Sequence, residues 1–204
     1  MSDLRIGVLA SGGGTNLQAL LDTVHGREVT IAAVAADKPG ARALARAEEA
    51  GVPTAVFAPS EYADREGRDA ALADWLEEHG VRLVVLAGWM TLLTPVLLDR
   101  FPGAVINVHP SLLPAFTGLR AVEQAVDYGV RVIGVTVHFV DEGVDTGQII
   151  LQGATELPAS ADADQALALL RPLEHSLLPE AVRLLARGAV RLDPANPRRT
   201  LIGP

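Results

Sequence analysis

Two short segments carry most of the side chains in this chain that could do chemistry. The first, Asn107-Val-His109-Pro110-Ser111-Leu-Leu-Pro114, follows an apolar run. Side chains at i and i+2 of a strand point the same way, and the carboxyl end of a strand in an open α/β sheet faces the crevice where ligands bind. An asparagine there can donate to an oxyanion, and a histidine can move a proton near neutral pH. Ser111 invites a nucleophile reading, but no G-x-S-x-G elbow surrounds it and a serine after proline more often caps a turn. The second segment is His138-Phe-Val-Asp141-Glu142-Gly-Val-Asp145-Thr-Gly147, a strand running into a polar turn. A carboxylate beside an imidazole orients the ring, and Asp145 and Asp141 are both candidates. The set His109, His138, Asp141, Glu142 and Asp145 also raises a metal site. It lacks H-E-x-x-H spacing, and acidic turns are mostly solvated, so no metal is expected. His25 and His79 sit at predicted helix ends and read as structural.

A third segment, Ser11-Gly-Gly-Gly-Thr-Asn16, lies between a predicted strand and helix. Unpaired amides at a helix N-terminus, the positive end of its dipole and glycines that let backbone approach closely make an anion site, to be weighed against a plain tight turn. The dinucleotide fingerprint is half present: Gly12 and Gly14 match G-x-G, but position 17 is leucine. Asp37 could hold a ribose or simply turn the chain in Asp37-Lys-Pro-Gly40. No phosphate-loop lysine motif occurs.

The elements that must place these residues follow from hydrophobic patterning. Strands are predicted at 5–10, 29–35, 54–57, 83–87 and 104–109, alternating with helices at 16–24, 41–50, 65–79 and 95–101. The β runs show little polar alternation, as expected of a parallel sheet covered on both faces, and the βαβα order predicts an α/β, doubly wound, mostly parallel and Rossmann-like amino-terminal half. Beyond His109 the rhythm changes to a helix at 120–128, strands at 132–140 and 148–157, and a helix at 162–187 interrupted by Pro172 and Pro179, with a frayed tail after 194. The 204 residues suit one domain: a phosphate-binding half over 1–103, a catalytic half over 104–190 and a tail over 191–204. With no cysteine, disulfides, thiolate nucleophiles and thiolate metal sites are excluded, and a reducing cytoplasm is expected. Seventeen basic against 25 acidic residues give a net charge of −8, which argues against a general grip on nucleic acid or anionic lipid. Lys38 is the one lysine, leaving Schiff-base chemistry almost no candidate. The start carries no signal-peptide pattern, and the weakly charged stretch 83–98 is too short to span a bilayer.

The pair of segments, Asn107–Pro114 and His138–Gly147, resembles the signature of the folate-dependent formyltransferases, and nearly the whole chain shares the resemblance. Within that family, the length and Ser11–Asn16 are similar to the branch acting on glycinamide ribonucleotide. The length leaves no room for the extra RNA-binding domain of the branch acting on methionyl-tRNA, nor for the regulatory domain of the formyltetrahydrofolate deformylases. The resemblance implies 10-formyltetrahydrofolate as co-substrate and a formyltransferase carboxyl-terminal half. It implies Asn107, His109 and Asp145 as the catalytic group and the amides of Gly14, Thr15 and Asn16 as the phosphate site. Glu174 would grip the substrate amine. Arg65, Met90, Thr91, Leu92, Leu93 and Asn107 would lie against the folate, the loop mostly through its backbone.

The implied reaction is direct attack of the amine on the formyl carbon through a tetrahedral intermediate. The alternatives are a deformylase, with water replacing the amine, and a nucleotide-binding module without chemistry. No metal, nucleic acid or membrane is expected; the chain would be a monomer or homodimer. This sequence departs from the family's pattern at Arg120, where relatives show histidine, and at Thr91, where they often show arginine. Arg120 would either hold an anionic substrate group or pair with Glu123 at i+3.

Overall fold

The computed structural model describes residues 4–203, and by its internal packing the chain divides into two compact units that meet inside one strand, between Asn107 and Val108. The first unit alternates β1 (Leu4–Leu9), α1 (Thr15–Thr23), β2 (Val29–Ala36), α2 (Arg42–Glu49), β3 (Thr54–Val56), α3 (Arg65–Glu78), β4 (Leu83–Leu86), α4 (Pro95–Leu98) and β5 (Val105–His109). Its strands are all parallel in the order β3-β2-β1-β4-β5. Val8, Leu9, Val34, Ala35, Val84 and Val85 are fully buried on successive positions of their strands. A strand without alternation is what two covered faces require, so the predicted doubly wound sheet is present.

The second unit holds α5 (Ala121–Tyr128), β6 (Val132–Phe139), β7 (Ile149–Glu156), α6 (Ala163–Ala186), β8 (Val190–Asp193) and β9 (Asn196–Ile202). Here β6 and β7 are antiparallel, β9 meets β7 in parallel at Arg199 and Ile149, and β8 and β9 form an antiparallel hairpin. No helix among the described residues is long and apolar enough to cross a membrane.

Two expectations are corrected. The segment 162–187 is one continuous helix that runs through Pro172 and Pro179. Each proline removes a helix hydrogen bond. A capping box between Asp162 and Gln165 starts the helix, and the apolar face bearing Leu170, Leu178, Pro179, Ala181 and Val182 is buried, with the helix packed on β6 and β7. Packing of that face outweighs the local penalty. The segment read as a frayed tail is the β8–β9 hairpin. Asp193 accepts from the Ala195 amide at 2.9 Å and from Arg199 Nε at 2.7 Å, while Thr200 Oγ1 donates to the Ile149 carbonyl at 2.6 Å.

Candidate active site

In the first unit, the glycine loop leads from β1 into α1. Gly14 is the N-cap residue at φ 68°, no side chain caps the helix, and its first turn carries no acidic residue. The first amides of a helix have no intrahelical acceptor, so this end presents N–H groups and a positive dipole. The left-handed backbone suits glycine, and a Cβ at Gly14 would lie 2.7 Å from the Ala43 Cα on α2. At Gly12 and Gly13 an added Cβ would meet nothing within 4 Å. Arg46 braces the loop from α2, donating from Nε to the Gly13 carbonyl at 3.0 Å.

Ser11, at the foot of this loop, donates to Asp37 at 2.7 Å and accepts from the Met90 amide at 2.9 Å, while Thr91 Oγ1 donates to the same Asp37 carboxylate at 3.1 Å. Asp37 therefore anchors the 88–94 loop to the glycine loop, a role neither the ribose nor the turn reading anticipated. Met90 and Leu92 stand on that loop with 62% and 55% of their surface exposed. Large apolar side chains displayed together on an irregular loop suit a ligand contact more than a core. Leu93 is half-buried beside them, and Arg65 is exposed at the first position of α3, next to the Asp64 cap that accepts from the Gly67 amide at 2.7 Å.

In the second unit, buried His109, buried His138 and Asp145 converge. The Asp145 carboxylate lies 3.4 Å from His109 Nδ1 and 3.5 Å from His138 Nε2, and it accepts from the Gly118 amide at 2.7 Å. The far nitrogen of each ring meets a carbonyl: His109 Nε2 the Phe116 oxygen at 2.8 Å, His138 Nδ1 the Phe139 oxygen at 2.7 Å. A carbonyl only accepts, so those nitrogens carry protons; a carboxylate at the other nitrogen makes a site for a ring with two N–H donors. Burial pushes the Asp145 carboxyl up, but hydrogen bonds from His138 and the Gly118 amide and the charges of both histidines outweigh it and hold the group below its ordinary value.

Among the described residues the non-glycine positions in the left-handed region are Phe116, Arg120 and Asp145. Each such position costs on the order of 1–3 kcal/mol, and Phe116 and Asp145 supply the groups that bracket His109. The alternative partner, Asp141, is turned into its own loop, accepting from the Gly143 amide at 3.1 Å and Thr146 Oγ1 at 2.6 Å.

Asn107 is half-buried on β5, two residues before His109, so the spacing that places both on one face is realised. Ser111 is spent on the turn, donating to the Ala115 carbonyl at 2.5 Å. Glu174 is half-buried on α6, next to His175. Arg120 is exposed, its Nε 3.8 Å from Glu123. His138, read in the same segment as Asp145 but left out of the expected catalytic group, shares the Asp145 carboxylate with His109; two residues earlier on β6, buried Thr136 donates to the Ser111 carbonyl at 2.7 Å.

An imidazole set between a carboxylate and a carbonyl, on a strand that also carries an asparagine two residues earlier, has the groups that proton transfer and oxyanion stabilisation would need. Comparison with known proteins names its class: the formyl transferase family model matches residues 4–182, and the chain belongs to that family. It is 38% identical over 190 residues to phosphoribosylglycinamide formyltransferase of Haemophilus influenzae, covering 92% of this chain and 90% of that protein. The solved structure of glycinamide ribonucleotide transformylase 1 from Symbiobacterium toebii superposes with a TM-score of 0.94 at 44% identity, over 100% of this chain and 95% of that one. The trifunctional purine biosynthetic protein adenosine-3 of Chironomus tentans is 40% identical over 193 residues, and the chain spans 14% of its length.

Proposed function

We propose that this chain transfers the formyl group of 10-formyltetrahydrofolate to the amine of glycinamide ribonucleotide, a step of purine synthesis carried out in the cytoplasm on small-molecule substrates. The observation that carries this reading is His109, fixed between Asp145 and the Phe116 carbonyl and two residues from Asn107 on one strand. His109 Nε2–H exchanges the Phe116 carbonyl for the formyl oxygen when substrate binds. Asn107 donates to the same oxygen as it becomes an oxyanion. Asp145 holds the imidazolium oriented, and His138 shares the carboxylate.

The neutral amine attacks the formyl carbon, the tetrahedral intermediate collapses with the folate nitrogen leaving, and a water relays the proton between the two nitrogens. No covalent bond to the enzyme is needed. The amides of Gly14, Thr15 and Asn16 receive the substrate phosphate at the start of α1. Glu174 takes the amine, and the 90–93 loop with Arg65 and Asn107 takes the folate. Among the described residues, no group of three or more His, Cys, Asp or Glu is placed to hold a metal, and no step here uses one.

The test is a formyl-transfer assay on purified protein with both substrates and each omitted in turn. Product formation that requires both supports the reading. Formate release without glycinamide ribonucleotide would make the chain a deformylase, and no turnover with calorimetric binding of nucleotides alone would make it a binding module.

A further inference from the structure

The 88–94 loop is also held by a charged pair with no exposure to solvent. Arg68 and Asp69, successive residues of α3, are both 0% exposed. Arg68 donates to Asp69 Oδ1 from Nε at 2.9 Å and from Nη2 at 2.6 Å, and Nη2 also donates to the Leu92 carbonyl at 3.0 Å. Asp69 Oδ2 accepts from the Thr94 amide at 2.6 Å, and the guanidinium carbon lies 5.9 Å from the centre of the Trp89 ring. Successive side chains on a helix normally diverge, so these two meet because both are turned toward the loop.

Stability is a poor reason for such a pair. Removing two charges from water costs about what their attraction returns, and apolar residues of similar volume usually serve at least as well. Arg68 Nη1, moreover, meets no hydrogen-bond acceptor on the protein. What apolar residues could not do is grip a carbonyl and an amide two residues apart. Ser11 and Asp37 tie the loop at Met90 and Thr91; Arg68 and Asp69 tie it at Leu92 and Thr94. The segment in between has no regular secondary structure, so these ties set the path of its backbone.

We propose that Arg68 and Asp69 are positioning residues for the folate-binding loop, holding the backbone of Met90–Leu93 in its receptive shape before the folate arrives. The proposal rests on the assignment of that loop to the folate. A preformed loop avoids the ordering cost at binding, so loosening it weakens the affinity for one substrate only.

Two variants and two measurements test this. Arg68→Met combined with Asp69→Asn removes both charges together and avoids an unpaired buried ion. Arg68→Lys keeps the charge against Asp69 but lacks the fork that also reaches Leu92. Amide hydrogen exchange is read at 89–94 in the ligand-free protein, and KM is measured for each substrate. The double variant is expected to speed exchange at 89–94 about tenfold and raise the KM for 10-formyltetrahydrofolate about tenfold, with kcat and the other KM unchanged. Arg68→Lys should recover part of both effects.

Unchanged exchange at 89–94 overturns the proposal whatever the substrate, since that reading needs no folate. Faster exchange with an unchanged folate KM overturns it through the loop's assignment, leaving the clamp itself standing. Exchange raised across the whole first unit, with both KM values shifted together, reduces the pair to a core element and overturns it as well.

Discussion

The glycine loop and the His109–Asp145–His138 cluster are built by opposite means. The loop uses backbone: three glycines, an uncapped helix start and a dipole, with neighbouring side chains serving only as braces. The cluster uses ionisable side chains on two strands and a turn: two buried imidazoles share a half-buried carboxylate, and their far nitrogens meet the Phe116 and Phe139 carbonyls. A backbone site needs only local sequence and close approach, so it tolerates changes of side chain that keep the turn. A side-chain cluster depends on three separated residues arriving at one point, and no single member can be replaced without leaving another unmatched.

Deleting the proton carrier should have the largest effect. His109→Ala is expected to lower kcat by about 10²–10⁴-fold with folate binding nearly unchanged, measured in steady state; near-normal turnover would remove His109 from the mechanism. Asp145→Asn should cost less, roughly 10–100-fold, and should also move the pH–rate profile, because an amide cannot present an accepting oxygen of full charge to both rings. A slower enzyme with an unmoved profile would separate the carboxylate from the proton transfer.

The loop should respond differently. A Cβ at Gly13 meets no protein atom within 4 Å, so Gly13→Ala is expected to leave stability nearly unchanged and raise the KM for the phosphorylated substrate severalfold, with Gly13→Val raising it about tenfold. Gly14→Val collides with Ala43 and forces a β-branched residue to positive φ, so it should lower stability by about 1–3 kcal/mol in thermal unfolding. If Gly13→Val binds substrate normally, this loop does not hold the phosphate.

The two smallest effects concern charge. Arg120 is exposed and already near Glu123, so Arg120→Ala should leave both KM values unchanged at low and high salt; a raised KM at low salt would restore a ligand role. The Asp145 carboxyl has a lower proton affinity folded than unfolded, where it titrates near about 3.9. Its stabilising contribution is therefore complete above that value and is lost as pH falls through the lower folded value. Acid unfolding of Asp145→Asn should lack that component, and an unchanged acid limb in a comparison of the two proteins would contradict the cluster's electrostatics.

Much of this was legible in the chain. Strands β1 to β7 and the first five helices fall within a few residues of where apolar runs and glycine punctuation predict them, because there local pattern and burial coincide. The glycine loop and the Asn107–His109 spacing could be read for the same reason: both are local. Two readings failed where tertiary contacts overruled local chemistry. Pro172 and Pro179 should break a helix, yet the buried face of α6 carries it through both. The residues after 194 look unanchored until Arg199 meets Asp193 and Thr200 meets the Ile149 carbonyl.

Sequence alone determined the class of fold, the absence of cysteine chemistry, the glycine-rich turn into the first helix and the residue types available for proton transfer. The residue types alone left Asp141 and Asp145 open and the resemblance implied Asp145; the tertiary structure gives the reason, since both lie in one polar turn and it is Asp145, on a left-handed backbone, whose carboxylate faces the two rings. It also added His138 to that carboxylate, gave Asp37 its place as an anchor, and buried Arg68 with Asp69 beneath a loop that follows them by some twenty residues. Each of these is a contact between residues far apart in the chain. Such contacts are set by the way strands, turns and helices pack, and that information is carried by no single stretch of sequence.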